Sequence, residues 1–374
     1  MRNIKKSILG AICISIISSP TFSAINDSYE VLSLELSADH NESNGIPMPF
    51  FANGRMQSKL NISVSFGDNY ATPVNVTTDD LKSSLSFYLK SDGRLLTQDK
   101  DCTYGSNCWG YTYTPNQYAH QMGASSGFSR TLPHSRISTA DTSRLSAWVY
   151  TNEIAQFRQI CAQIKFEGGK VYDSCQHPQN ETAMYQSVEP KIYNITDFAD
   201  IGTGEEVWHE TRYDDFYFYK ATIRNFYITP LKSKVQLVDV AMDNDDEAEQ
   251  DQLFLNDSWL GCMQNCKDDI RSVKGYIFKP GSERTVSEQY VFNSSAGEGR
   301  TATWRVNQKR RSITISQLLY SNISSNTEEK QQEYRFTAFD QYGNKAPLKI
   351  VYPLSSYEGG NQKWDYTTWF LAAQ

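Results

Sequence analysis

Cys161-Ala-Gln-Ile-Lys-Phe-Glu-Gly-Gly-Lys-Val-Tyr-Asp-Ser-Cys175 predicts a β-hairpin stapled by its own ends. Glu167, Gly168 and Gly169 make a three-residue loop with Gly169 in the left-handed region, which sets Phe166 opposite Lys170. Counting outward from that closing pair brings Cys161 opposite Cys175 at a non-hydrogen-bonded position, with Cα atoms about 4.5 Å apart, a distance a disulfide can span. Because strand side chains alternate, Ala162, Ile164, Phe166 and Tyr172 share the face expected to meet a core. Gln163, Lys165, Asp173 and the cystine share the other.

Short alternating runs divided by Asn, Asp, Gly and Pro recur along all 374 residues. Strands are expected over residues 31–36, 60–66, 85–89, 147–151, 216–228, 235–240, 275–278, 290–293, 302–306, 312–315, 334–339 and 348–352. The pattern predicts an all-β chain of two β-sandwich domains. Only residues 78–84, opening on Thr-Thr-Asp-Asp, and the stretch after Ser316 have helical character. Such a length exceeds what one core usually serves. The polar stretch holding His177, Pro178 and Pro190 divides the strand groups, so an N-terminal β domain is expected over 25–188 and a C-terminal one over 189–374.

Residues 1–24 have the form of a secretory signal: Arg2, Lys5 and Lys6, then an apolar run from Ile8 to Ile17, then a small-residue exit to Ala24. The mature start is expected near Ala24 or Ile25. Cys13 follows Ile12, which rules it out as a lipid anchor. Removing this leader takes three positive charges from a chain of formal charge −7, leaving −10. That acidity argues against nucleic acid as a partner. No later run approaches the roughly 18 apolar residues of a membrane helix, and most strands are too short and polar for an outer-membrane barrel.

The six remaining cysteines fall into local pairs, 102 with 108, 161 with 175, and 262 with 266, the disulfide pattern of an oxidising compartment. Zinc at Cys262 and Cys266 would need two further ligands, and none lies near in sequence.

Catalytic signatures are scarce, and no cofactor fingerprint appears. Gly123-Ala-Ser-Ser-Gly127 has the letters of a nucleophile elbow, but its flanks are neither a buried strand nor a helix. His134, His177 and His209 suggest no triad with Ser125. Asp243, Asp245, Glu247, Glu249 and Asp251 are weak calcium candidates; Ala248 and Phe254 stand where a calcium loop needs Gly and Glu, and a solvated insertion is expected. Lys309, Arg310 and Arg311 are expected in a solvated turn. In Asp215-Phe-Tyr-Phe-Tyr219, Phe216 and Phe218 should face inward, Tyr217 and Tyr219 outward.

The ligand candidates lie beside the first cystine. In a strand over 108–114, Trp109, Tyr111 and Tyr113 share a face, the inner side of a sandwich or a stacking platform. The inner side is the expectation for Trp109, which leaves Tyr104, inside the 102–108 loop, as the favoured contact.

Ala338-Phe-Asp-Gln-Tyr-Gly-Asn344 resembles the strand, Asp-x-x-Gly-Asn turn and following strand that close many bacterial immunoglobulin-like domains. Asp340 can cap that turn, and Gly343 can take its positive φ. Covering roughly residues 270–352, the resemblance implies an immunoglobulin-like sandwich and no activity. Antibody-type Cys and Trp spacing is missing. These features together suggest a secreted bacterial binding or adhesion protein, in the periplasm, at the cell surface or outside the cell, whose partner is a protein or glycan. The alternative is a carbohydrate-binding or carbohydrate-active protein using the aromatic platform.

Overall fold

The computed structural model describes residues 25–39, 46–103, 105, 107–122, 142–177, 181–213, 218–242, 252–258, 272–291, 299–320, 333–351, 354–356, 362–364 and 369–374. The chain is all-β, built from sheets packed as sandwiches. The leader with Cys13, residues 123–127 with Ser125, His134, residues 243–251, Cys262 and Cys266, Tyr104, and residues 215–217 lie outside the described residues.

The first half contributes β1 (Glu30–Ala38), β2 (Pro49–Phe51), β3 (Ser58–Gly67), β4 (Pro73–Val74), α1 (Thr78–Ser84) and β5 (Leu85–Leu89). There follow β6 (Thr97–Gln98), β7 (Trp109–Thr112), β8 (Thr142–Thr151), β9 (Ala155–Lys165), β10 (Val171–Asp173) and β11 (Ala183–Val188). One sheet runs β1-β3-β8-β7-β6 with β4 on β3; the other runs β10-β9-β11-β2 with β5 on β9. Alternation assembles the core. Leu60, Ile62, Val64 and Phe66 of β3 meet Ile160, Ala162 and Ile164 of β9, with Asn61, Ser63 and Ser65 turned away. Ile25 joins this core at 2% exposure, its carbonyl accepting from Glu167 N at 2.9 Å. The helix has the expected bounds, since Thr77 Oγ1 accepts from Asp80 N at 3.2 Å and Leu81 is buried beneath it.

The β9–β10 hairpin keeps the expected register. Val171, Tyr172 and Asp173 pair with Lys165, Ile164 and Gln163, Phe166 N donates to Lys170 O at 2.8 Å, and Gly169 has φ 92°. Cys161 and Cys175 are bonded, with Cα atoms 5.6 Å apart rather than 4.5 Å. Past Asp173 the ladder is irregular: Ser174 N still donates to Ala162 O at 3.0 Å, but Ala162 N donates to Ser174 Oγ at 3.0 Å instead of its carbonyl, and Asp173 Oδ1 accepts from Cys175 N at 2.9 Å. Cys102 is bonded to Cys108.

The second half holds a short 3₁₀ turn (Ile195–Asp197), β12 (Glu205–Tyr213), β13 (Phe218–Ile228), β14 (Leu237–Met242), β15 (Gln252–Ser258) and β16 (Ser272–Phe278). It continues with β17 (Arg284–Val291), β18 (Gly299–Val306), β19 (Ile313–Tyr320), β20 (Glu333–Asp340) and β21 (Lys345–Val351). The small β22 (Leu354–Ser356), β23 (Gln362–Trp364) and β24 (Phe370–Ala373) complete it. Sheet β12-β13-β19-β16-β15 packs one face on sheet β14-β20-β21-β24, through Phe226, Ile277, Ile315, Phe336 and Leu348. Its other face lies under the β17–β18 hairpin, through Ile223, Phe278, Leu318, Tyr290 and Trp304. Residues 317–320, where a helix was expected, are therefore strand, and 321–332 lie outside the described residues. The strand expected over 312–315 thus runs on to Tyr320: every residue of β19 is buried, and a central strand covered on both sides lacks the alternation that would have marked its second part.

Candidate functional site

Trp109 and Tyr111 alternate inward on β7 and are 3% and 4% exposed, so they present no stacking platform. Trp109 meets Phe50 edge-on, and Tyr111 meets Phe87 in the same way with ring centroids 4.8 Å apart. Tyr113 packs against the same core, half-buried, with Lys82 over its ring. Large aromatic side chains gain more from burial between two sheets than from standing in water.

The indole of Trp109 has a second use. Its Nε1 donates to Glu153 Oε2 at 3.1 Å, which also accepts from Arg94 at 2.7 Å, while Glu153 Oε1 accepts from Arg158 Nη2 at 2.7 Å. Burial pushes this carboxyl up, but the donors Arg94, Arg158 and Trp109 outweigh it and hold its pKa below the ordinary value. Glu153 thus fixes two guanidinium groups at the sheet surface.

Arg158 lines a groove of about 560 Å³ together with Lys90, Ser91, Phe157, Gln159 and Met184. These come from just past the end of β5 and from the starts of β9 and β11. Register explains the grouping: Met184 pairs with Gln159, and its neighbours Ala183 and Tyr185 are buried, so Met184 faces out. Phe157 has the parity of Gln159, Cys161 and Gln163, the outward set of the hairpin. Phe157 is 52% exposed and Met184 40%, an apolar pair on a polar face with fixed cationic groups beside it. Chemically the groove offers dispersion contact from Phe157 and Met184 and the guanidinium donors of Arg158.

Sequence reasoning missed all six groove residues, because three strands distant in sequence supply them. One signal was available: the hairpin register, extended back by four residues, sets Phe157 among polar outward neighbours.

The remaining candidates do not converge. His177 stacks on Tyr172 with centroids 5.2 Å apart in the first half, whereas His209 is 3.2 Å from Glu206 on β12, both exposed. Among the described residues no group of His, Cys, Asp and Glu is arranged to hold a metal ion. No described helix is long and apolar enough to cross a membrane. No protein-family model and no curated protein matches the chain.

Proposed function

We propose that the protein is a secreted, non-catalytic binding protein of adhesion type, acting at or outside a bacterial envelope, and that it holds a protein partner in the β5–β9–β11 groove. The observation that carries this reading is the exposed Phe157 and Met184 pair beside Arg158. Buried anchors surrounded by polar contacts supply most of the affinity in protein interfaces, and aromatic, Met and Arg side chains are enriched there. The occupant is an extended segment bearing an apolar side chain for Phe157 and Met184 and a carboxylate for Arg158. The leader-like residues 1–24 and the two cystines support an oxidising, extracytoplasmic location. The Asp340 to Asn344 turn supports reading the second half as an immunoglobulin-like sandwich, here elaborated by the β17–β18 layer.

The test is capture of envelope proteins by the wild type and by the double variant Phe157→Ser, Met184→Ser, with a glycan array in parallel. The variant should keep the wild-type melting temperature and lose the captured protein. Capture unchanged by the double substitution, or binding to a glycan alone, removes the groove from the function.

A further inference from the structure

A second surface lies where the chain enters β14, at the end of the β14–β20 sheet that carries the Asp340 to Asn344 turn. The loop Pro230-Leu231-Lys232-Ser233-Lys234, between β13 and β14, lies against the β18–β19 loop that carries Lys309 and Arg310. Arg311 joins them, Nε donating to Val235 O at 2.9 Å and Nη2 to Lys232 O at 2.6 Å. Gln341 grips the same loop, donating to Lys234 O at 2.8 Å and accepting from Gln236 N at 2.7 Å. With the carbonyls of Lys232, Lys234 and Val235 drawn inward, the side chains of Lys232 and Lys234 stand exposed. Lys309 and Arg310 are exposed beside them, Lys309 resting 4.1 Å above the Tyr227 ring.

Among the described residues none of Lys232, Lys234, Lys309 and Arg310 has an ion-pair partner. Two acids approach the loops: Asp197 accepts from Leu231 N through its carbonyl while its carboxylate faces Lys191 at 3.6 Å and accepts from Asn194 N, and Glu205 accepts from Oη of Tyr227, the ring beneath Lys309. Leu231, 63% exposed, precedes Lys232 on the same loop; a second apolar side chain, Ile192 at 69%, lies on the segment that Asp197 ties to this loop.

We infer that this rigid tip is a peripheral docking surface for a lipid bilayer carrying anionic phosphate head groups, Leu231 entering the acyl boundary while the four cations meet the phosphates. The exposed leucine decides against an anionic polysaccharide, which would gain from the cations alone. The charge of the chain as a whole is negative, so this cluster of cations stands against the overall sign, and its attraction to an anionic surface acts within a Debye length of about 8 Å at physiological salt. The inference goes beyond the groove reading and does not depend on it.

The test is sedimentation of the mature chain with vesicles of phosphatidylcholine alone and of phosphatidylcholine mixed with phosphatidylglycerol, across a salt series. Binding should require phosphatidylglycerol, weaken with salt, and fall about fivefold for each of Lys232→Gln, Lys234→Gln, Lys309→Gln and Arg310→Gln. Leu231→Ser should lower it several-fold without moving the melting temperature. Phe157→Ser, Met184→Ser should leave it unchanged, which separates this surface from the groove. Equal binding to both vesicle types, indifference to the four charge substitutions, or retention on dextran sulfate without vesicle binding would overturn the inference.

Discussion

Glu153 and Asp340 are carboxylates of opposite electrostatic character, and their opposition sets a pH prediction at the scale of single residues. Glu153 is held below its ordinary 4.5 by its donors, so its stabilising contribution is present above pH 4.5 and lost as pH falls through the lower folded value. Asp340 is 1% exposed, and burial raises its pKa above 3.8 despite hydrogen bonds from Tyr193 Oη, Asn344 and Tyr342 N. The folded state therefore favours its protonated form, a contribution fully present below pH 3.8 and lost as pH rises through the folded value. Glu153→Gln should cost most near pH 7 and progressively less in acid. For Asp340→Asn the cost relative to wild type should instead be largest in acid and shrink toward pH 7. Denaturant midpoints measured for both variants between pH 3.5 and pH 7 test the two signs, and parallel curves would refute them.

At the scale of elements, the contrast is between local and non-local determination. The α1 helix and the β9–β10 hairpin were legible because cap, loop and register are set within a dozen residues. The strand β19 was legible only at its start, expected over 312–315; its continuation past Ser316 was not, since its burial depends on two layers contributed by chain segments before and after it. Its Ser316 is satisfied between the neighbouring β13 and the β17–β18 layer: Ser316 Oγ donates to Asn225 Oδ1 at 2.6 Å and accepts from Trp304 Nε1 at 3.0 Å, while Asn225 Nδ2 donates to Arg305 O at 2.7 Å. This network fastens the β17–β18 hairpin to the central sheet. Ser316→Ala strands a buried indole N–H and a buried amide oxygen, and should cost about 1–3 kcal/mol. Loss of near-ultraviolet circular dichroism from Trp304 ahead of global unfolding is expected; an unchanged midpoint would show that the network contributes nothing. The groove was illegible for the same reason as the second part of β19, with Phe157 its one local trace.

For the molecule as a whole, the question is what joins the two halves, and the answer is the Asp340 to Asn344 turn. Gly343 has φ 78°, and Gly343 N donates to Asp340 O at 2.9 Å, as the motif implied. The motif did not say that the turn docks on the other half. Asn53 Nδ2 donates to Tyr342 O at 2.9 Å, Ala119 N to Gln341 O at 2.6 Å, Tyr342 packs on Phe51, and Arg55 lies 4.4 Å over the Phe339 ring. Asp239 adds a second tie, accepting from Gln117 Nε2 at 2.8 Å and from Tyr118 Oη at 3.2 Å. A Cβ on Gly343 would sit 2.6 Å from Arg55 Cβ, so Gly343→Ala meets both a positive φ and an occupied site. It should cost about 1–3 kcal/mol. The connecting segment is anchored by the same turn, Lys191 N donating to Asn344 Oδ1 at 3.2 Å, so loosening the turn should free it. Wild type should melt in one calorimetric transition and resist trypsin after Lys191. Gly343→Ala, and Arg55→Ala without backbone strain, should split the transition and speed that cleavage. Two transitions already in the wild type, or cleavage unchanged in both variants, would mean that the halves fold independently and the turn merely touches its neighbour.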